Sequence, residues 1–465
     1  MAYWQSGLVV NALFLGLMLV LAAVLRRLVP VLGRIGLPVS MLAGVIGLAL
    51  GPQVAGLIPF DISALESIIY HALALLCIAV GLQKSADQGG RRDGTLTVGF
   101  AIPFFAGLQG FIGLVLVLLF TAPSGGPLHP GFGLMLPLGF SQGAGQALAM
   151  GSAWEQMGMP DGPQVGLIFA AVGLAWSVLL GVPLVAWGKR SGAWKPVVAD
   201  DAGGTAEETV LVVDNDPGAL DPLTVHVAVV ALTYLLVYAV LKVGSSALAG
   251  KPQIAAMIWG FHFIVAIGLS VVVRSVLTRV SGSYPLNNAL LGRVSGIIVD
   301  VGATAGLAAV SIAVLRENWL PILLITSIGG TITMLGAVWI GRRAFPDAPF
   351  EHTVVLFGTA TGTLTTGLAL LRILDPGLRG PTTANFVMGS VVAAALGAPI
   401  LVGLLPLPVA GFPGNYPGMV WIAIGLTALY LVLLVLGWRF LGPLRFVGPM
   451  TRAWPEDPHP RTHGG

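Results

Sequence analysis

Charge is what this sequence has least of. Only 9% of its 465 residues are Asp, Glu, Lys or Arg, whereas a soluble domain carries about 25%. Such a chain cannot cover its own surface in water, which excludes an ordinary soluble globule. Cysteine is nearly absent: Cys77 is the single one, so no intrachain disulfide can form and the redox compartment is not legible from it. There is no Walker loop, no H-E-x-x-H, no Cys/His metal spacing and no G-x-S-x-G elbow. The chain therefore reads as no enzyme, needs no cofactor and has no ATP-driven step of its own. A net charge of +3 gives no sign of a nucleic-acid partner, and the ten-residue alternation of an outer-membrane barrel is missing.

What is abundant is apolar: 56% of residues are hydrophobic and the mean hydropathy is +0.90. Runs of about 20 apolar residues recur from end to end, each long enough for a hydrocarbon core of about 30 Å. In lipid they must be helices, because the backbone has to satisfy its own hydrogen bonds. The runs predict eleven spans, at 8–25, 37–58, 66–83, 97–120, 164–187, 224–243, 254–278, 294–315, 319–341, 383–404 and 418–438. Met1 to Gly7 is uncharged and lacks a basic n-region, so the first run reads as a retained span and not as a cleaved signal. Basic residues collect in alternate loops: Arg26, Arg27 and Arg34; Lys84, Arg91 and Arg92; Lys189, Arg190 and Lys195; Arg342 and Arg343; Arg439, Arg445 and Arg452. That pattern predicts the N-terminus outside and the C-terminus in the cytoplasm.

The one long polar segment, 190–222, holds seven acidic residues with Gly203, Gly204 and Pro217, and reads as a flexible cytoplasmic linker. On either side the chain repeats itself. Pro38 and Pro252 open equivalent spans, Gly145 matches Gly362 and Pro163 matches Pro381, at separations of 214, 217 and 218 residues. Each half has five spans, an odd number, so the two halves must be inverted with respect to one another. The expected fold is an all-α integral membrane protein of about eleven transmembrane helices. It divides into a first repeat (1–189, with a hairpin at 132–155), the linker (190–222), a second repeat (223–408, with a hairpin at 352–375), and an extra span with a tail (409–465).

Two apolar stretches do not look like spans. The run from Phe132 to Phe140 is too short to cross and meets Ser141-Gln142-Gly143-Ala144-Gly145-Gln146. Its counterpart is Phe357-Gly358-Thr359-Ala360-Thr361-Gly362-Thr363-Leu364-Thr365-Thr366-Gly367. Each is expected to enter the membrane, turn at its glycine-rich tip and leave on the same side, with the two tips meeting near the midplane. Irregular backbone at that depth must line protein or a water-filled cavity. Half-helix N-termini present N–H groups to an anion, and free carbonyls and hydroxyls suit Na⁺. Ser141, Gln142, Gly143, Gly145, Gln146, Thr359, Thr361, Gly362 and Thr363 are thus candidate substrate residues, and Thr365 and Thr366 candidate Na⁺ ligands. The alternative is a close helix interface built on small residues.

Ionisable residues at membrane depth are costly and are further candidates. Asp300 could ligate a cation, exchange a proton or pair with Arg293. Arg372, closing the second hairpin, could clamp a substrate carboxylate or serve as an interfacial anchor or as partner to Asp375. His71 and His262 read as packing residues, and Gln83 and Asn385 as helix cross-links.

The pattern Ser141-Gln142-Gly143-x-Gly145, with Thr361-Gly362-Thr363 and Gly367, resembles the glutamate:sodium symporter family. So does the layout of two inverted five-span halves with re-entrant segments, over about residues 8 to 408. The resemblance implies sodium-coupled uptake of glutamate or a similar small anionic solute, by a homodimer in a bacterial inner membrane. Its better-known branch carries a His in each Gly-rich segment, where this chain has Gln142 and Gln146, Thr359 and Thr361; span eleven adds to the usual ten. A proton-coupled carboxylate carrier and a channel with a re-entrant filter are the alternative readings.

Overall fold

The computed structural model describes residues 7–34, 37–84, 92–120, 126–194, 220–248, 250–281, 285–345, 348–378, 380–412 and 414–442. The expected linker falls almost wholly outside them, as does the tail beyond 442. The described residues form helices and connecting turns, with no strand among them. In order these are α1 (Gly7–Leu28), α2 (Val39–Leu50), α3 (Ile62–Gly81), α4 (Arg92–Leu119), α5 (Gly131–Pro137), α6 (Ala144–Glu155) and α7 (Gly162–Ser191). There follow α8 (Pro222–Ala247), α9 (Pro252–Gly260), α10 (His262–Ser281), α11 (Asn288–Ala308), α12 (Trp319–Ala344), α13 (Pro349–Leu374), α14 (Pro381–Pro399) and α15 (Gly418–Leu441).

Among the described residues eleven helices are long and apolar enough to cross a membrane. Large apolar side chains stand exposed along α1, α8, α10 and α15, among them Leu13, Val20, Leu235, Val272 and Leu433. Faces of that kind are tolerable only against lipid, and the protein is an all-α integral membrane protein. Proline starts several helices where no N–H is needed: Pro222, Pro252, Pro349 and Pro381. At α8 the Asp221 side chain caps the start, accepting from the N–H groups of Leu223 and Thr224. At its other end α7 stops on Gly192, at φ +73°.

Two expected elements differ. The span expected at 37–58 is helical only over Val39–Leu50, about 18 Å at 1.5 Å per residue and too short to cross. It stops at Gly51 because Pro52 follows, and the residue before a proline is disfavoured in the helical region; the apolar residues beyond are turn. The span expected at 254–278 is interrupted between α9 and α10, where Phe261 leaves helical geometry. The eleven candidates also include α13, which by composition resembles a span but is broken at Gly362 and Thr363.

Compactness divides the chain along another line than the repeat. One unit contains residues 1–70, 87–195 and 301–465, and the other 71–86 and 196–300. The second is built on Ala74, Ile78, Val237, Leu241, Ala266 and Leu291. Within it Asn288 exchanges two hydrogen bonds with the backbone of Lys84. The first unit holds both glycine-rich segments, the second of them packed in a core with Phe105, Phe386 and Trp438.

Candidate functional site

The first glycine-rich segment runs down α5, through a π-helical turn at Leu138–Gln142, and breaks at Gly143. It then returns as α6. A Cβ on Gly131, at its beginning, would stand 3.2 Å from the Trp154 ring near its end, so both ends lie on one side. The second segment does the same within α13. A Cβ on Gly358 would stand 2.7 Å from the Cα of Gly367, and one on Gly367 would stand 2.6 Å from the Val355 carbonyl. Nine residues of continuous helix would separate the first pair by about 13 Å, so α13 is a hairpin of two arms, 349–361 and 364–374.

Helix α7 is the ruler that orients them. Gly162 packs backbone to backbone on Gly151, and Gly166 lies against the Ala147 carbonyl of α6. Gly173, midway along, touches Phe140 of the first tip and the Thr361 carbonyl of the second. Further on, Ser177 meets Thr361, Gly181 meets Leu370 and Gly188 meets Phe350. The open end of the first hairpin is thus at the start of α7 and that of the second at its end. They insert from opposite ends of one helix about 45 Å long and meet near its middle. The meeting is direct: a Cβ on Gly143 would be 2.7 Å from Thr363 Cγ2.

The two turns share a backbone conformation, Gly143 at φ 88°, ψ 180° and Thr363 at φ 74°, ψ 166°. Conformation therefore pairs Gly143 with Thr363, 363 − 143 = 220, whereas matching glycine with glycine pairs Gly145 with Gly362 at 217. Each turn immediately precedes a returning arm whose first-turn N–H groups have no partner inside the helix. Residues 144–146 and 364–366 so bring two helix N-termini, each equivalent to roughly half a positive charge, to neighbouring tips. Ser141 through Gln146 are half-buried, Thr363 and Leu364 likewise, and Thr365 is exposed. Every residue of the incoming arm from Phe350 to Gly362 is buried, the surroundings that broken backbone at membrane depth requires.

Neighbours lock the second tip. Gln109 of α4, fully buried, donates to Thr333 Oγ1 of α12 (3.0 Å) and to the Ala360 carbonyl (2.8 Å). Thr361 Oγ1 donates to the Phe357 carbonyl (2.8 Å), so the Ser177 hydroxyl at 2.6 Å is the donor of that pair. Three buried oxygens here lack a hydrogen-bond partner: Gln109 Oε1, Gln146 Oε1 and Thr359 Oγ1. They are acceptors left over after the helices and tips have been satisfied.

The sequence-derived candidates fall into three groups. Gln142, Gly143, Gly145, Gln146, Gly362 and Thr363 are at the tips. Ser141, Thr361, Thr365 and Thr366 are there too, but their hydroxyls are engaged. Ser141 bonds the Pro137 carbonyl (2.8 Å), Thr365 bonds Thr363 (2.9 Å), and Thr366 donates to the Gly362 carbonyl. The last group are not residues of the tips. Arg372 is exposed on the returning arm, nine residues or about 13 Å from the tip. Asp300 is exposed and falls in the second compact unit. His71 bonds Tyr234, His262 the Trp259 carbonyl, and the Gln83 carbonyl accepts from Arg274. Among the described residues no group of three His, Cys, Asp or Glu could hold a metal ion.

Gln109, Ser177, Thr333, Glu351 and His352 escaped the sequence reading. The first three are single polar residues in apolar runs, with no pattern to mark them. The acid–histidine pair at the start of the second hairpin was a legible signal, because ionisable residues at such depth are rare. The first hairpin also has a buried histidine at its root. His129 Nδ1 accepts from the Gly131 N–H (3.1 Å), its ring lies edge-on to Phe412, and burial pushes its pKa down to about 4.

No protein-family model matches this chain, and no curated protein matches it.

Proposed function

We propose that the protein is a secondary active transporter, a sodium-coupled symporter of glutamate or a related small anionic solute. The observation that carries this reading is the meeting of Gly143 and Thr363, which brings together two half-helix N-termini inserted from opposite ends of α7. Paired positive helix ends hold a carboxylate without a buried cationic side chain. The leftover oxygens of Gln109, Gln146 and Thr359 are of the hard, neutral type that Na⁺ accepts. Alternating access follows from a hairpin from each side: withdrawing one opens the tips to that side while the other stays closed. The setting we propose is a homodimer in a bacterial inner membrane, N-terminus outside and C-terminus cytoplasmic, as in the glutamate:sodium symporter family that the tips resemble.

The test is uptake of radiolabelled glutamate into proteoliposomes under an inward Na⁺ gradient, against an inward K⁺ gradient. Accumulation above equilibrium only with Na⁺ supports the proposal. Equilibration without accumulation would replace it with a channel, which cannot concentrate its solute. A bulky residue at Gly362, where a Cβ would already be 2.7 Å from Ser177 Oγ, should abolish uptake in protein that still inserts. A proton-coupled carrier is the second reading, favoured by the buried Glu351–His352 pair; a pH gradient in place of Na⁺ tests it.

A further inference from the structure

At the root of the second hairpin four polar side chains are joined in one chain of hydrogen bonds, away from the tips. Glu351 and His352 on the incoming arm, and Thr382 and Asn385 on α14, are all buried. Thr382 Oγ1 donates to Glu351 Oε2 (3.1 Å) and lies 3.2 Å from His352 Nδ1. His352 Nε2 is 3.0 Å from Asn385 Nδ2. Trp194 Nε1 donates to Glu351 Oε1 (3.2 Å). The imidazole stacks on Phe345, with ring centroids 4.2 Å apart.

Donor and acceptor chemistry ties the ring's state to the way the Asn385 amide is turned. His352 Nδ1 is 2.9 Å from the Ala348 carbonyl, which can only accept, so Nδ1 carries a hydrogen. With the Asn385 amide N–H turned to it, Nε2 is an acceptor and the ring is neutral. That arrangement leaves Asn385 Oδ1 buried without a partner. Turning the amide over sets Oδ1 against Nε2, which must then carry a proton of its own, and satisfies the leftover oxygen. Asn385 can therefore serve either ring state, nitrogen towards the imidazole and oxygen towards the imidazolium. The positive charge so created would be one hydroxyl away from the Glu351 carboxylate. A Cβ on Gly380 would stand 3.3 Å from Glu351 Oε2 and 3.4 Å from Asp375 Oδ2, so a second carboxylate is close at hand, and adjacent carboxylates favour uptake of a proton.

We propose that Glu351, Thr382, His352 and Asn385 form a binding site for one proton at the root of the second hairpin. The proton comes from the aqueous phase on that side, adds to His352 Nε2 and is released from it; no other bond is made or broken. Charged groups on the surrounding elements are Asp93 on α4, Lys189 and Arg190 on α7, Arg342 and Arg343 on α12, and Arg372 and Asp375 on α13. Lys189 donates to the Ile373 carbonyl (2.7 Å) and covers the Trp194 ring. The site joins the incoming arm to α14 and to the segment after α7, so its proton sets how firmly the root is held.

Trp194 reports on it, because its indole N–H is bonded to Glu351. The full-length protein in detergent is titrated from about pH 9 to about pH 4 while tryptophan emission is followed. The expected result is a one-proton step that disappears in Trp194→Phe, a change at a half-exposed position. The step should move by about one pH unit or more in Glu351→Gln, a tenfold change in proton affinity, and vanish in His352→Gln. Should His352→Gln fail to fold, Asn385→Leu, which removes the amide that serves both ring states, must move the same step. The absence of any Trp194-dependent step, or a step unmoved by these variants, overturns the proposal. No solute takes part, so this result and that of the uptake assay are independent.

Discussion

Gly143 and Thr363 touch across the midpoint of α7, each at the break of its own hairpin and in the same left-handed, extended conformation. Glycine adopts that conformation without strain, whereas a β-branched residue is forced into it. One tip is therefore relaxed and the other strained, and their contact leaves no room for an additional carbon.

Gly143→Val should reduce solute uptake into proteoliposomes by at least tenfold, about 1.4 kcal/mol, in protein that still elutes as a single species. Gly158→Ala is the control: it too is at positive φ, +96°, but has nothing within 4 Å of its Cβ. It should cost about 1–3 kcal/mol of stability from backbone strain and leave uptake intact. Equal losses in the two variants would make strain, not tip contact, the cause.

Thr363→Gly should raise the unfolding temperature in detergent, because it releases about 1–3 kcal/mol of backbone strain and sacrifices a hydroxyl pairing with exposed Thr365 and the methyl group beside Gly143. A lower unfolding temperature would mean that the methyl contact with Gly143 outweighs the strain.

Gln109→Leu removes the donor from the Ala360 carbonyl just before the second tip. An unpaired buried carbonyl costs about 1–3 kcal/mol, so stability measured by thermal or denaturant unfolding should fall by that amount. Thr333 keeps its bond to the Gly329 carbonyl (2.7 Å), which confines the loss to the tip. Uptake should fall with it; unchanged stability and uptake would show that Gln109 does not hold the tip.

Acid should destabilise the protein through His129. Its folded pKa is lowered to about 4, against about 6.5 for a histidine in an unfolded chain. As pH falls below 6.5 the unfolded state takes up the proton first, so stability declines until about pH 4 and then levels off, by about 3 kcal/mol in all. The unfolding temperature should therefore drop between neutral and mildly acid pH, and the drop should shrink in His129→Asn, which retains an acceptor for the Gly131 N–H. An unchanged pH dependence in that variant would exclude His129 as its source.

Much of this architecture is written in local composition. A run of about 20 apolar residues with no charge has one stable form in lipid, so the helical, membrane-embedded nature of the chain could be read directly. The hairpins were legible for a related reason: Phe132 to Phe140 is too short to cross, and the chain after it is too rich in glycine and hydroxyls to continue as a span. Length alone misled at 37–58, where apolar residues continue past the helix that Pro52 ends. Pairing glycine with glycine between the halves was off by three residues, because Thr363 occupies a conformation that sequence would assign to glycine.

Tertiary structure alone decided which polar groups meet. Gln109 and Ser177 come from two helices and reach the second tip only through packing, at sequence separations above 180 residues. Arg372, conspicuous as a charge in apolar surroundings, stands away from the tip because a helix sets depth by residue count and not by chemical fitness. The sequence by itself determined that this chain lives in a membrane and bends back into it twice. The fold determined that the two bends touch, because only the passage of α7 along both hairpins brings their ends to one point.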